Sequence, residues 1–166
     1  AKGGDSMPSG KKRKRKKKGS NKDWFNPHDP DAKITKLKDG RTHLAHKDEH
    51  AVDMDTGAVL AVTVQPADRD DRASLPQTLD EAQAALRDAA RDMEVRRALP
   101  ERQRPKEWIE EVVADKGYHS NDALVKTQAR TLRTYIAEPD RGRRDWAGKA
   151  REQAAVYANR RRVRGK

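Results

Sequence analysis

Cysteine is absent from the chain, which excludes disulfides and thiolate metal sites and is compatible with a reducing compartment. Long apolar runs are missing as well. No stretch approaches the roughly 18 apolar residues that a membrane span needs, and the N-terminus carries charge without an apolar segment behind it. A soluble chain without an export signal is therefore expected. Apolar residues are 33% of the total against 39% charged, so the core must be small. There is no glycine loop to cradle a phosphate, no nucleophile elbow and no Cys/His pair, which removes the usual nucleotide-binding and covalent-hydrolase readings.

What is present is charge, unevenly placed. The 166 residues leave room for one domain, with a net charge of +11. Lys11–Lys18 is eight consecutive bases and Arg160–Lys166 adds five more; removing both from 38 leaves 25 bases against 27 acids. A nearly neutral domain thus lies between two basic ends. Residues 1–23, rich in Gly, Ser and Lys, are expected to be disordered or an extended insertion, with the domain over 24–166. The basic octet either neutralises phosphates, with affinity falling steeply as salt rises, or is a solvated charge run. Residue 1 is Ala, which suggests processing or a chain that begins inside a longer one. Trp24 and Phe25 are expected to pin the turn-rich segment up to Asp31, with stacking on bases as the alternative.

Arg41–Met54 and Ala58–Gln65 alternate in polarity across Asp55-Thr56-Gly57 and predict a β-hairpin. Leu75, Leu79, Ala82, Leu86, Ala89 and Met93 fall on one face of a helix, with Ser74 as its cap and Pro76 in its first turn. Ala98–Pro105 reads as a loop. Ile109, Val112, Val113 and Ala114 read as a buried strand closed by a turn at Gly117. Ser120 or Asn121 caps a helix over Asp122–Arg130, Leu132–Ala137 is a further strand, and Trp146–Val163 is helical. The order of hairpin, helix, strand, helix, strand, helix predicts an α/β fold, a mixed sheet with helices on its faces.

Asp115 falls at the carboxyl end of the third strand, where open α/β sheets bind ligands. It is either a metal ligand or an ordinary turn aspartate. His46 and His50 share a strand face roughly 13 Å apart, too far for one ion, and His43 faces the other way. Asp53-Met54-Asp55-Thr56-Gly57 starts like a calcium loop, but Ala58 and Val64 stand where Gly and Glu are required. Two metal ions for phosphodiester chemistry need several converging carboxylates, and Asp115 alone cannot hold them.

Val113-Ala114-Asp115-Lys116-Gly117-Tyr118-His119-Ser120 resembles the "ADKGY" strand of bacterial insertion-sequence transposases with a DDE catalytic triad. The resemblance extends to Ser20-Asn21-Lys22-Asp23, Asp29-Pro30-Asp31-Ala32-Lys33, His50-Ala51-Val52-Asp53, Glu138-Pro139-Asp140-Arg141-Gly142 and Tyr157–Arg164, in the expected order. It implies a partial ribonuclease H-like mixed sheet, and hydrolysis at transposon ends followed by attack of the freed 3′-hydroxyl on target DNA. Asp115 matches the second acid, a catalytic residue and Mg2+ ligand. The first acid normally lies on a strand before the hairpin, and no such strand precedes Lys33; the third, a glutamate, normally follows an Arg-rich helix like Tyr157–Arg164. Asp53 as a substitute first acid is the lesser alternative to a turn role.

The resemblance therefore implies an internal piece of a transposase, inactive alone, with weak Mg2+ binding and DNA as partner, both transposon ends and target. A dimer of the intact protein, no membrane partner and a place in the bacterial cytoplasm at the nucleoid go with it. The expected DNA-binding residues are Lys11, Lys12, Arg13, Lys14, Arg15, Lys16, Lys17 and Lys18 at one end, and Arg160, Arg161, Arg162 and Arg164 at the other. The alternative is a small non-enzymatic basic nucleic-acid-binding protein; a ribosome-associated basic protein fits the charged ends but not the middle.

Overall fold

A computed structural model of the chain describes residues 23–36 and 40–165, apart from the side chain of residue 103. The described residues form a small mixed α/β domain with one antiparallel and one parallel sheet and four helices. β1 (Lys33–Lys36), β2 (Thr42–Val52) and β3 (Val59–Pro66) form the antiparallel sheet in that order. α1 (Asp71–Arg91) and the short α2 (Met93–Ala98) follow, then a 3-10 turn at Glu101–Gln103. β4 (Glu111–Ala114), a 3-10 turn at Lys116–Tyr118, α3 (Asn121–Ala129) and β5 (Arg133–Ile136) make a parallel crossover, and α4 (Ala150–Val163) ends the fold.

The hairpin turn is built by Asp53, whose carboxylate accepts the Thr56 N–H at 3.2 Å and the Thr56 hydroxyl at 2.5 Å. Gly57 completes it with φ of 74°, a left-handed value that a side chain disfavours. At α3, the Ser120 hydroxyl accepts the Ala123 N–H at 3.0 Å, so Ser120 rather than Asn121 is the cap.

α1 differs from expectation in an informative way. It begins at Asp71 with Asp70 as its cap, so Ser74 lies inside the helix. Burial inside serves another purpose: the Ser74 hydroxyl donates to Glu49 Oε1, and the Thr78 hydroxyl, one turn on, lies 2.7 Å from Glu49 Oε2. Thr78 also bonds the Thr63 hydroxyl at 2.7 Å. A carboxylate of β2 is thereby buried against the polar half of α1's inner face. Leu75 and Leu79 on the adjoining stripe pack with Val112, Leu124, Ile136, Ala155 and Val156 as the apolar core. Each large side chain buried there contributes on the order of 1.5–3 kcal/mol. The stripe stops short of Met93, which belongs to α2 and is 57% exposed, because the Asp92 carboxylate starts a new turn by accepting the Glu94 and Val95 N–H groups.

Three further expectations are corrected. Val113 is 61% exposed, so β4 is buried on one face only, where Val112 joins the core cluster with Leu75 and Leu79 of α1, Leu124 of α3 and Val156 of α4. Trp24 and Phe25, at 64% and 65% exposed, do not pin their segment; buried Ala32 and the Asp29–His46 pair at 3.1 Å do. β1, unforeseen, pairs Lys33–Lys36 with Thr42–Ala45.

β5 is finished at its outer edge by side chains of α4. The Asn159 amide accepts the Ile136 N–H at 3.0 Å and donates to the Ile136 carbonyl at 2.8 Å, while Arg162 Nε donates to the Thr134 carbonyl at 3.0 Å. β4 pairs with β5 alone, and residues 46–52 of β2 pair with β3 alone, so each sheet keeps an unpaired strand edge among the described residues.

Thr78→Val keeps the shape of a buried residue and removes a donor to the Glu49 carboxylate. A loss of about 1.5–3 kcal/mol in denaturant unfolding is expected. A loss under about 0.5 kcal/mol would mean that Glu49 does not hold the hairpin to α1.

Candidate functional site at the end of β4

Asp115 lies one residue beyond β4, at its carboxyl end, and caps the 3-10 turn over Lys116–Tyr118. Its Oδ1 accepts the Gly117 N–H at 2.6 Å. Gly117 is needed for closeness and not for a left-handed backbone: a Cβ there would lie 2.9 Å from Asp115 Oδ1 and 3.1 Å from Asp71 Oδ2. The carboxylates of Asp115 and Asp71 therefore flank one glycine. Asp71, in the first turn of α1, is paired through Oδ1 with Lys47 Nζ at 3.0 Å, and Lys47 also donates to the Arg69 carbonyl at 3.1 Å.

Tyr118 sits within this group. Burial above all, then the negative charges of Glu49, Asp71 and Asp115, pushes its hydroxyl up to about 12, so the phenol keeps its proton at neutral pH. Asp70, beside Asp71, is held down at about 2 by the Arg72 guanidinium and the Arg72 N–H. Sequence reasoning singled out Asp115 but missed Lys47, Glu49 and Asp71 as its neighbours. A partial signal exists for the first two: Lys47, Glu49 and Ala51 alternate to one face of β2.

The group offers carboxylates, but it does not assemble a triad. Among the described residues no set of three His, Cys, Asp or Glu side chains is placed to hold a metal ion. Asp115, with Asp71 across Gly117, is the part of a ligand set that these residues provide. Asp53 is spent on the hairpin turn, His46 on Asp29, and His50 on Asp48 at 3.2 Å.

The predicted DNA contacts divide. Lys11–Lys18 lies outside the described residues. Of the C-terminal arginines, Arg160 Nε and Nη2 donate to Glu138 at 2.5 and 2.9 Å, and Arg162 is bound to Thr134 of β5. Arg161 and Arg164 are exposed on α4 and its end. Arginines of one run thus serve two purposes, and the helical period separates them: 160 and 161 differ by about 100° around the axis.

A separate groove of about 270 Å3 runs between α1 and α3, lined by Leu75, Pro76, Leu79, Ala123 and Thr127. Its rim cations are paired, Arg130 with Asp80 at 2.8 Å and Lys126 with Asp122 at 2.8 Å. No helix among the described residues is long and apolar enough to cross a membrane. Comparison with protein-family models, with curated proteins and with solved structures gives no match for this chain.

Gly117→Ala forces the Asp115 carboxylate off the Gly117 N–H. A loss of about 1 kcal/mol is expected, the usual value of a cap. Combining it with Asp71→Ala, which relieves the second contact, should recover part of that loss in the same unfolding assay; no recovery would place the clash elsewhere.

Proposed function

We propose that this chain contributes one catalytic acid, Asp115, to a DDE-type transposase centre, with the companion acids supplied from outside the described residues. The observation that supports this reading is positional. Asp115 leaves the carboxyl end of a parallel strand, heads a strand–turn–helix unit, and stands beside a strand edge with no partner. An additional strand on β4 would bring its own carboxyl or amino end to the same rim, and a carboxylate there would meet Asp115. Two separate sheets with unpaired edges, one packed on α1 directly and the other sharing the Leu75–Leu79 core, are consistent with a mixed ribonuclease H-like sheet without one of its strands.

Magnesium, when bound by such a centre, stabilises charge on the attacking and leaving oxygens of the phosphodiester. In this chain Asp115 would serve as a ligand through the oxygen not engaged by Gly117. Lys47 neutralises Asp71, so Asp115 is the carboxylate of this pair without a lysine partner. Tyr118, still protonated, is able to donate a hydrogen bond within the same group.

The second reading, a non-enzymatic nucleic-acid-binding module, is favoured by the hydrogen bond that makes Asp115 a sufficient turn cap. In both readings Arg161 and Arg164 contact phosphates together with Lys11–Lys18. Binding is independent of sequence and falls with salt, the slope of log affinity on log salt easing by about 0.9 for each contact removed. Arg161→Ala and Arg164→Ala should each weaken duplex binding and flatten that slope in a gel-shift titration, whereas Arg160→Ala should lower stability.

The chain alone should neither cleave nor join DNA with Mg2+. In a longer chain that supplies the companion acids, it should release a 3′-hydroxyl at a transposon end, and Asp115→Asn should abolish this while leaving DNA binding intact. Activity of the unextended chain, or an extended chain that binds but never cuts, overturns the transposase reading.

A further inference from the structure

His119 is 0% exposed, and neither of its ring nitrogens has a hydrogen-bond partner. A buried imidazole normally has at least one such bond, so this one calls for a reason. Its backbone is fixed at both ends: the N–H donates to the Lys116 carbonyl at 3.2 Å, and the carbonyl accepts Arg141 Nη2 at 3.2 Å. It precedes Ser120, the cap of α3, and so lies at the electropositive end of a nine-residue helix.

The charged groups facing the ring are Glu138, Arg144 and Arg141. Glu138 lies beyond the end of β5 with its side chain 19% exposed, and it is already held by two guanidinium groups. Arg160 of α4 bonds it through Nε and Nη2, and Arg144 pairs with its Oε1. Arg144 in turn donates to Asn121 Oδ1 at 2.8 Å, at the start of α3. The carboxylate is thus the knot that ties β5, the connection after it, α3 and α4 together. Its own proton affinity is lowered chiefly by the Arg160 hydrogen bonds.

We infer that His119 is an acid-sensitive latch: neutral, it packs silently behind the Glu138–Arg144–Arg160 knot, and protonated, it opens the knot and loosens α4 on β5, leaving the helix to the Asn159 and Arg162 bonds alone. Protonation adds a second N–H donor to a ring whose two nitrogens have no hydrogen-bond partner, beside two guanidinium groups and a helix N-terminus. Its available partner is Glu138, and taking Glu138 removes the anchor of Arg160 and Arg144. Burial first, with Arg144 and Arg141 adding to it against the pull of Glu138, holds the imidazole below its ordinary value of 6.5. The sign follows. Above pH 6.5 the ring is neutral in both folded and open forms, and stability is complete. Below it the open form takes up a proton that the closed form refuses, so the closed form loses ground as pH falls.

The arginine freed would be Arg160, next to the exposed Arg161 on α4. Acid would then enlarge the cationic surface of α4, whatever that surface binds. Loosening of the helix itself does not depend on the transposase reading, nor on any ligand.

The test is amide hydrogen exchange on the full chain between pH 7.5 and 5.0, expressed as protection factors. Protection of the α4 amides around Ala155–Arg162 should fall on the order of tenfold by pH 5.5, the proton-linkage factor for a ring that stays neutral until the knot opens. Protection in β2 and β3 should hold. In His119→Phe the acid-dependent loss at α4 should vanish; because His28, His43, His46 and His50 remain in both chains, the difference belongs to His119. If that variant does not fold, the ring signals of His119 in the native chain decide the matter. Absence of protonation in the closed form supports the latch. Titration near 6.5 with α4 still protected, or an equal loss across β2 and β3, overturns it.

Discussion

The buried carboxylate of Glu49 is the joint on which the domain depends. Removing a charge from water costs several kcal/mol unless strong hydrogen bonds replace its hydration. Here the replacement comes from Ser74 and Thr78, two hydroxyls one turn apart on α1. Because they share a helix face with Leu75 and Leu79, α1 presents a polar strip to the hairpin and an apolar strip to β4, β5, α3 and α4. One helix therefore carries two sheets that make no strand pairing with each other. An apolar residue at position 49 would pack against α1 in several orientations, whereas a carboxylate with two fixed donors sets one angle of the hairpin.

That geometry explains why acidic groups gather at the end of β4. Asp71 must be in the first turn of α1, where a negative charge is favoured by the helix dipole. Asp115 meets that turn because the 3-10 turn it caps packs on α1, with Gly117 between the two carboxylates. Tyr118, brought in by the 3-10 turn, fills the space between them and Glu49. Carboxylates set by helix start, strand end and buried joint thus converge, each placed there by its own local role in the fold. Such a cluster is compatible with catalysis and equally with a well-made corner of the fold, which is why the reading turns on the free strand edge beside it.

The locally encoded parts of the fold were legible in the sequence. The hairpin follows from alternation around Asp53–Gly57, and the start of α3 follows from a serine before an acidic first turn. What required tertiary knowledge was not legible. Ser74 looks like a helix cap, and its hydroxyl instead serves a residue 25 positions away. Val113 has the composition of a buried strand, yet among the described residues no layer covers its side of the sheet. Lys33–Lys36 carries too few apolar residues to announce a strand and owes its pairing to β2. Of the site, Asp115 was found because strand, turn and helix signals coincide there. Its neighbours Glu49 and Asp71 were missed because alternation on β2 marks only the face of Glu49, and proximity across 44 or more residues leaves no trace of which element meets which.

Asn159 gives the sheet a direction. By spending its amide on both backbone groups of Ile136, with Arg162 occupying Thr134, α4 turns the β5 margin into a wall. Growth of the β4–β5 ribbon, whether by a further segment of chain or by another molecule, can proceed from the β4 margin alone. An edge sealed on one side and open on the other makes the β4–β5 ribbon, among the described residues, one-ended: it accepts a single neighbour and cannot propagate into a fibre by itself.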